Sequence, residues 1–308
     1  MKNKINILYI ENTKSQSYTY YHELYTSLSK VSNLFLYNNY NKVGILDVEK
    51  ICNSIKEKID FVLIGFGWTN CSDNYPDKIK LDKNIKSGII LNKEYTGLEK
   101  KLDFIQKNKF DIAFTVHHDF KKYQEKTNVP FYHLPFAANE EIYKDYKIDK
   151  INDISFSGII RSDQTMNWRE KIYNDLENEF WKNIKHNFSD HKHDNIYDYA
   201  KRLNTSKVWL STTGPADLVG TRYYEVMLTG TTLLMCNKFD YLGILKDGFN
   251  CVMFDSLSDF KKKLSYYLNN DKERNEIINN AREDALKNHT WKNRSHLVIE
   301  KAKETLYE

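Results

Sequence analysis

The chain has 308 residues, which at roughly 150 residues per domain predicts about two domains. Charged residues make up 29% and apolar residues 41%, which excludes both a low-complexity disordered chain and a chain built of membrane spans. A formal net charge of +4 gives no argument for a nucleic-acid-binding face, and the excess of 22 tyrosines and 16 phenylalanines over 11 glycines and 4 prolines reads first as compositional bias.

The N-terminus, MKNKINILYIENTK, has a short apolar run ending at Glu11 and no small-residue cleavage site, so it reads as a first strand and not as a signal peptide. Short apolar β-type runs then alternate with stretches at helical period, the pattern of βα units and a parallel sheet. Strands are predicted over 5–10, 33–37, 61–65, 88–91 and 111–116, with helices over 18–29, 45–58 and 98–107. Two prolines in 129–135 predict a break. Beyond it, strands are expected over 154–159, 184–188, 208–211, 231–236 and 251–254. Helices are expected over 166–180, 196–204, 257–269 and 271–288, with another containing 223–228. The expected architecture is α/β, with an N-terminal Rossmann-like domain over 1–135 and a C-terminal one over 136–290 facing it across a cleft. A closing helix over 291–308 is expected to return to the first domain.

Cys52, Cys71, Cys236 and Cys251 show no paired metal-ligand spacing and are expected as reduced, packed thiols. The longest strongly apolar stretch, 61–68, is far short of the ~20 residues that a span needs, so no transmembrane segment is expected. A soluble cytoplasmic protein follows, with peripheral membrane contact left open. No G-x-G-x-x-G follows the first strand and no P-loop occurs, which directs the search for a ligand site to the second half.

The most informative stretch there is D-L-V-G-T-R-Y-Y-E-V-M-L-T-G-T-T-L-L, residues 217–234. A helix starting near Gly220 to Arg222 would present free N–H groups and its positive dipole end to a phosphate or diphosphate. Arg222 in the first turn adds a charge-assisted contact. Glu225, one turn further in, could accept from ribose hydroxyls, and Asp217 could face a sugar. The plainer alternatives are an exposed helix glutamate for Glu225 and a helix N-cap for Asp217.

This stretch resembles the E-x7-E region of GT-B-fold glycosyltransferases of family 4 type, with Asp217 in place of the first Glu. Its R-Y-Y-E-V-M-L-T-G core resembles the corresponding segment of the CgeB-like, or group 1-like, glycosyltransferases. Further matches are Leu134-Pro135-Phe136-Ala137-Ala138-Asn139, Ile154-Ser155-Phe156-Ser157-Gly158-Ile159-Ile160-Arg161, Lys246-Asp247-Gly248-Phe249-Asn250 and His289-Thr290-Trp291-Lys292-Asn293-Arg294. The resemblance implies that a nucleotide-sugar lies on the C-terminal domain and the acceptor on the N-terminal one. It implies that Glu225 binds ribose, that the Gly220-Thr221-Arg222 backbone holds the diphosphate, and that Arg161, beyond the Gly158 turn, is the positive group on the phosphates. Family 4 enzymes usually carry a Lys five residues after that Arg. Met166 stands here instead, so Arg222 or Arg169 would supply the charge.

His117-His118-Asp119 suggests a metal at first sight, but adjacent side chains diverge on a strand, so no metal is expected and only one histidine is predicted to face the cleft. His117 or His118 is either a satisfied loop residue or an acceptor-side group, with His117 the candidate base. Trp68 could stack on an acceptor sugar, although packing is the plainer role. His191-Lys192-His193-Asp194 reads as a surface loop in the region where the resemblance places the base.

The expected function is transfer of a sugar from a nucleotide-diphosphate donor to a hydroxyl acceptor such as a glycan, retaining and metal-independent. No cofactor beyond the donor substrate and no nucleic-acid partner are expected. The alternatives are a non-catalytic nucleotide- or glycan-binding module on the same scaffold, and a phosphorylase or epimerase.

Overall fold

Apolar runs that do not alternate form strands buried on both faces. In the computed structural model, which describes residues 4–12, 20–39, 45–65, 79–160, 168–189 and 195–307, they build two all-parallel main sheets. Each sheet belongs to its own unit, one comprising Met1–Pro135 and Trp291–Glu308, the other Phe136–Thr290.

The first unit runs β1 (Asn6–Glu11), α1 (Tyr20–Val31), β2 (Asn33–Asn38), β3 (Leu46–Asp47), α2 (Val48–Asn53), β4 (Phe61–Ile64) and β5 (Ile79–Lys80). It continues with β6 (Lys86–Leu91), α3 (Leu98–Asn108), β7 (Ile112–Thr115), α4 (Phe120–Thr127) and β8 (Phe131–His133). The main sheet has the order β2-β1-β4-β6-β7-β8, and β3 pairs only with β5. Leu8, Ile64, Ile89 and Leu91 pack with Val48 of α2, Ile105 of α3 and Tyr123 of α4 into one core.

Three differences from the sequence reading have local causes. Phe131–His133 is a sixth strand where the prolines predict only a break. It lies at the sheet edge, where only one side of the strand must donate, and Pro130 and Pro135 flank it while Ala113 N–H and Leu134 N–H still form ladder bonds. The helix expected over 45–58 is shorter, because Asp47 caps it by accepting from the Lys50 N–H and Ser54 ends it. The strongly polar α4 is a helix the sequence reading does not include; its buried Tyr123 and Thr127, four residues apart on one face, hold it down.

The second unit runs β9 (Asn152–Ser157), α5 (Trp168–Asn174), β10 (His186–Ser189), α6 (Ile196–Asn204), β11 (Ser206–Ser211) and α7 (Arg222–Thr229). It continues with β12 (Leu233–Asn237), β13 (Val252–Phe254), α8 (Leu257–Asn269) and α9 (Asp271–Asn288), and α10 (Trp291–Leu306) then packs against α1, β6 and β7 of the first unit. The helix expected over 166–180 is α-helical only to Asn174 and continues as 3-10 turns at Asp175–Glu177 and Glu179–Asn183.

The sheet order is β10-β9-β11-β12-β13. The chain steps from β9 outward to β10 and returns to β11 on the other side of β9. The carboxyl ends of β9 and β11 therefore flank a topological switch point, the place where open α/β sheets hold ligands. Among the described residues no helix is long and apolar enough to cross a membrane. Cys52, Cys236 and Cys251 are free and buried, while Cys71 lies outside the described residues.

Candidate functional site

At the switch point β9 ends in Ser157 and Gly158, and β11 ends in Ser211, followed by Thr212 and Thr213. Ser211 Oγ is buried with no hydrogen-bond partner among the described residues. The loop after β11 is folded on itself: Gly214 N–H donates to Leu218 O at 2.8 Å, and Thr213 N–H to Asn237 Oδ1 at 2.9 Å. α7 then starts at Arg222 with no side-chain cap on its first N–H groups. A Cβ on Gly220 would meet no heavy atom within 4 Å, so among the described residues nothing covers this helix start there.

Two arginines converge on the same ring. The guanidinium carbons of Arg169 and Arg222 lie 5.5 Å and 5.7 Å from the centre of the buried Phe156 ring. Arg169 is pinned by three bonds, Nε to Thr212 Oγ1 at 2.7 Å, Nη2 to Thr212 O at 3.1 Å and Nη1 to Ile159 O at 3.1 Å. Burial and then the neighbouring Arg222 pull its pKa down to about 10. The Arg222 guanidinium lies over Gly158, where a Cβ would fall 3.0 Å from Nη2 and 3.1 Å from Nη1, and where φ is +126°. A glycine is required there for both reasons.

Glu225 is 9% exposed, which removes the exposed-glutamate reading. Burial raises its carboxyl above the usual range, against the hydroxyls of Thr221, Tyr143 and Tyr199, which bond to it, and the charge of Arg222. Tyr199 also accepts the Arg222 Nε–H at 3.1 Å. Burial would pull Arg222 down, but Tyr199 and Glu225 outweigh it and the net shift is upward. Asp217 is exposed on the 3-10 turn Pro215–Asp217, with φ +56° and Oδ1 accepting from Thr213 Oγ1 at 3.3 Å. It is not the N-cap of α7, a position held by Thr221.

The carboxyl edge of the first unit's sheet has different chemistry. Glu94, just beyond β6, is 4% exposed, takes a hydrogen bond from the Thr115 hydroxyl on Oε1, and has no partner for Oε2 among the described residues. Burial pushes its carboxyl up to about 7. Thr115 Oγ1 in turn accepts the His117 N–H at 3.1 Å. His117 is 4% exposed, and its Nδ1 accepts from the Asp119 N–H at 3.1 Å and lies 3.1 Å from the Tyr123 hydroxyl. The His117 and His118 rings do not diverge: they stack with centroids 4.0 Å apart, because both lie past the end of β7, where strand alternation no longer applies. The ligand-capable atoms of His117, His118 and Asp119 lie within 4.8 Å of one another, so these three could hold a cation. Burial holds His133, at the end of β8, down to about 4.

The structure thus brings Gly158, Thr221, Arg222 and Glu225 together with Gly220 at the start of α7, and His117 with His118 in the other unit. Arg161, Trp68, Met166 and residues 191–194 lie outside the described residues. Tyr143, Tyr199 and Thr212 were not foreseen as site residues, and neither was Glu94. Tyr199 and Arg202 stand three residues apart on α6, and an aromatic–arginine pair at that spacing was the available signal.

A sequence profile of the glycosyl transferase-like family matches residues 99–300. The chain belongs to that family. No curated protein matches the sequence significantly. Among solved structures, HepE of Anabaena, determined with UDP-glucose, is 10% identical over 98% of this chain and 99% of its own, with a TM-score of 0.60. The sucrose-phosphate synthase of Thermosynechococcus elongatus is 9% identical over 99% of both chains, with a TM-score of 0.64. A variant of S. aureus TarM, solved with fondaparinux, alpha-GlcNAc-glycerol and UDP, is 13% identical over 85% of this chain and 57% of its own, with a TM-score of 0.57. At such identities the likeness establishes architecture, and this family member has the GT-B fold.

Proposed function

We propose that the chain is a glycosyltransferase that takes a sugar from a nucleoside-diphosphate donor bound to Phe136–Thr290 and passes it to a hydroxyl acceptor, a glycan or similar, bound to the first unit. The observation that carries this is the pair of guanidinium groups on Phe156 at the start of α7, beside the Glu225 carboxylate. Departure of the sugar leaves negative charge on the diphosphate, and fixed positive groups aimed at it are what that step needs. Arg222 and the N–H groups of 220–222 would hold the diphosphate, and Glu225 or the hydroxyls around it would meet the ribose. The UDP and UDP-glucose in the HepE structures favour a uridine donor.

With Arg169 and Arg222 supplying the charge, the reaction is metal-independent in this reading, and the family 4 resemblance favours retention of configuration. Arg161 would add to the phosphate contacts, and Asp217 would act on the donor sugar from its turn. His117 and His118 would meet the acceptor, and Trp68 would stack on an acceptor sugar. Buried free thiols fit work in the cytoplasm.

The test is a screen of UDP- and GDP-sugars with a panel of glycan acceptors, reading free nucleotide and transferred sugar. The reading expects donor hydrolysis without acceptor and faster turnover with one. Nucleotide binding with neither hydrolysis nor transfer would make the protein a binding module instead.

A further inference from the structure

Resting on the donor reading above, we propose that Tyr199 is a positioning residue whose hydroxyl keeps Arg222 and Glu225 from closing on each other, which leaves the terminal nitrogens of Arg222 for the diphosphate. A guanidinium and a carboxylate three positions apart on one helix are spaced to form a direct ion pair. A paired arginine would spend its fork on its own glutamate.

The phenol of Tyr199, reaching in from α6, stands between them. It accepts the Nε–H of Arg222 at 3.1 Å and bonds to the Glu225 carboxylate, and the Ser157 side chain is a further hydrogen-bond partner. Binding Arg222 through Nε orients the planar group, so that Nη1 and Nη2 lie over Gly158 at the end of β9. The ring is fixed in turn by edge contacts with Tyr143 at 6.3 Å and Trp209 at 6.1 Å between centroids. The Glu225 carboxylate takes the hydroxyls of Thr221 and Tyr143 as well, so its oxygens are occupied by neutral donors in place of the guanidinium. One hydroxyl therefore decides whether the cation at the switch point serves the protein or a ligand.

The test is a double-mutant cycle on the full chain with Tyr199→Phe and Arg222→Gln, titrating UDP and uridine, and GDP and guanosine as a parallel pair, by calorimetry. Tyr199→Phe removes one oxygen and leaves the ring contacts in place. The expected result is about a tenfold fall in the ratio of diphosphate to nucleoside affinity, because a charge-assisted hydrogen bond is at stake. In the Arg222→Gln background the same change should have no further effect on the diphosphate.

An unchanged ratio of diphosphate to nucleoside affinity in Tyr199→Phe would overturn the proposal. So would an equal loss in both backgrounds, since Tyr199 would then not act through Arg222. If the Phe variant does not fold, Tyr199→His, which keeps a ring and a polar atom, should restore part of the diphosphate preference, and nucleoside binding without that preference would overturn the proposal. Wild-type protein that binds neither diphosphate would instead sink the donor reading itself.

Discussion

The two main sheets are both fully parallel with central strands buried on both faces, yet their carboxyl ends gather different side chains. In the second unit that edge gathers two arginines on one aromatic ring beside a hydrogen-bonded carboxylate. In the first unit it gathers a buried acid, two stacked histidines and a tyrosine. In the proposed reading the shared architecture sets where a ligand would go, and the side chains at the strand ends set which ligand it would be.

The sharpest way to break this comparison is Arg222→Gln. Losing a fixed cation aimed at the leaving group should lower turnover by roughly 10²–10³, read from initial rates of nucleotide release. A change of less than about threefold would remove the second unit's edge from the chemistry.

Next is Glu94→Gln, which probes the first unit's edge. Its carboxyl titrates near 7 folded, against an ordinary value of 4.5. The folded state therefore holds a proton that the unfolded chain releases earlier. Stability linked to this group is complete below pH 4.5 and is lost as pH rises through about 7, a total of about 3 kcal/mol. Urea unfolding at pH 5 and pH 8 should show the variant gaining on wild type as pH rises. A difference that stays constant with pH would mean that Glu94 is not held protonated.

His117→Ala should lower acceptor-dependent turnover about a hundredfold while calorimetric UDP affinity stays unchanged. A matching loss of UDP affinity would erase the division of labour between the two edges. The smallest effect is expected from Gly158→Ala. The positive φ and the clash with Arg222 should cost about tenfold in UDP affinity, and unaltered affinity would show that Arg222 can move aside without consequence.

Much of the second unit was legible because its signals are contiguous. The bounds of α6 and α8 follow from Asn195 and Ser256, whose side chains cap the first turns, and the whole start of α7 lies within one short motif. The first unit's edge was less legible because its partners are distant in sequence. Glu94 meets Thr115 across 21 residues, and nothing in the pattern around Asn92-Lys93-Glu94 marks a buried acid. The divergence expected of the two histidines applied strand alternation just past the expected 111–116 strand, while β7 ends at Thr115. The tyrosine excess, first taken as composition alone, has a partial cause in the fold. Tyr143, Tyr199, Tyr223 and Tyr241 pack and hydrogen-bond in and around the second unit's site.

The most direct test of the central claim is thermal unfolding of wild type and Arg222→Gln with UDP or GDP in excess. At ~100-fold excess over Kd, a ligand specific for the folded state adds about 2.7 kcal/mol. A diphosphate should raise the Tm of wild type by several degrees and leave the variant nearly unmoved. Equal shifts in both proteins, or no shift in wild type with either nucleotide, would contradict it.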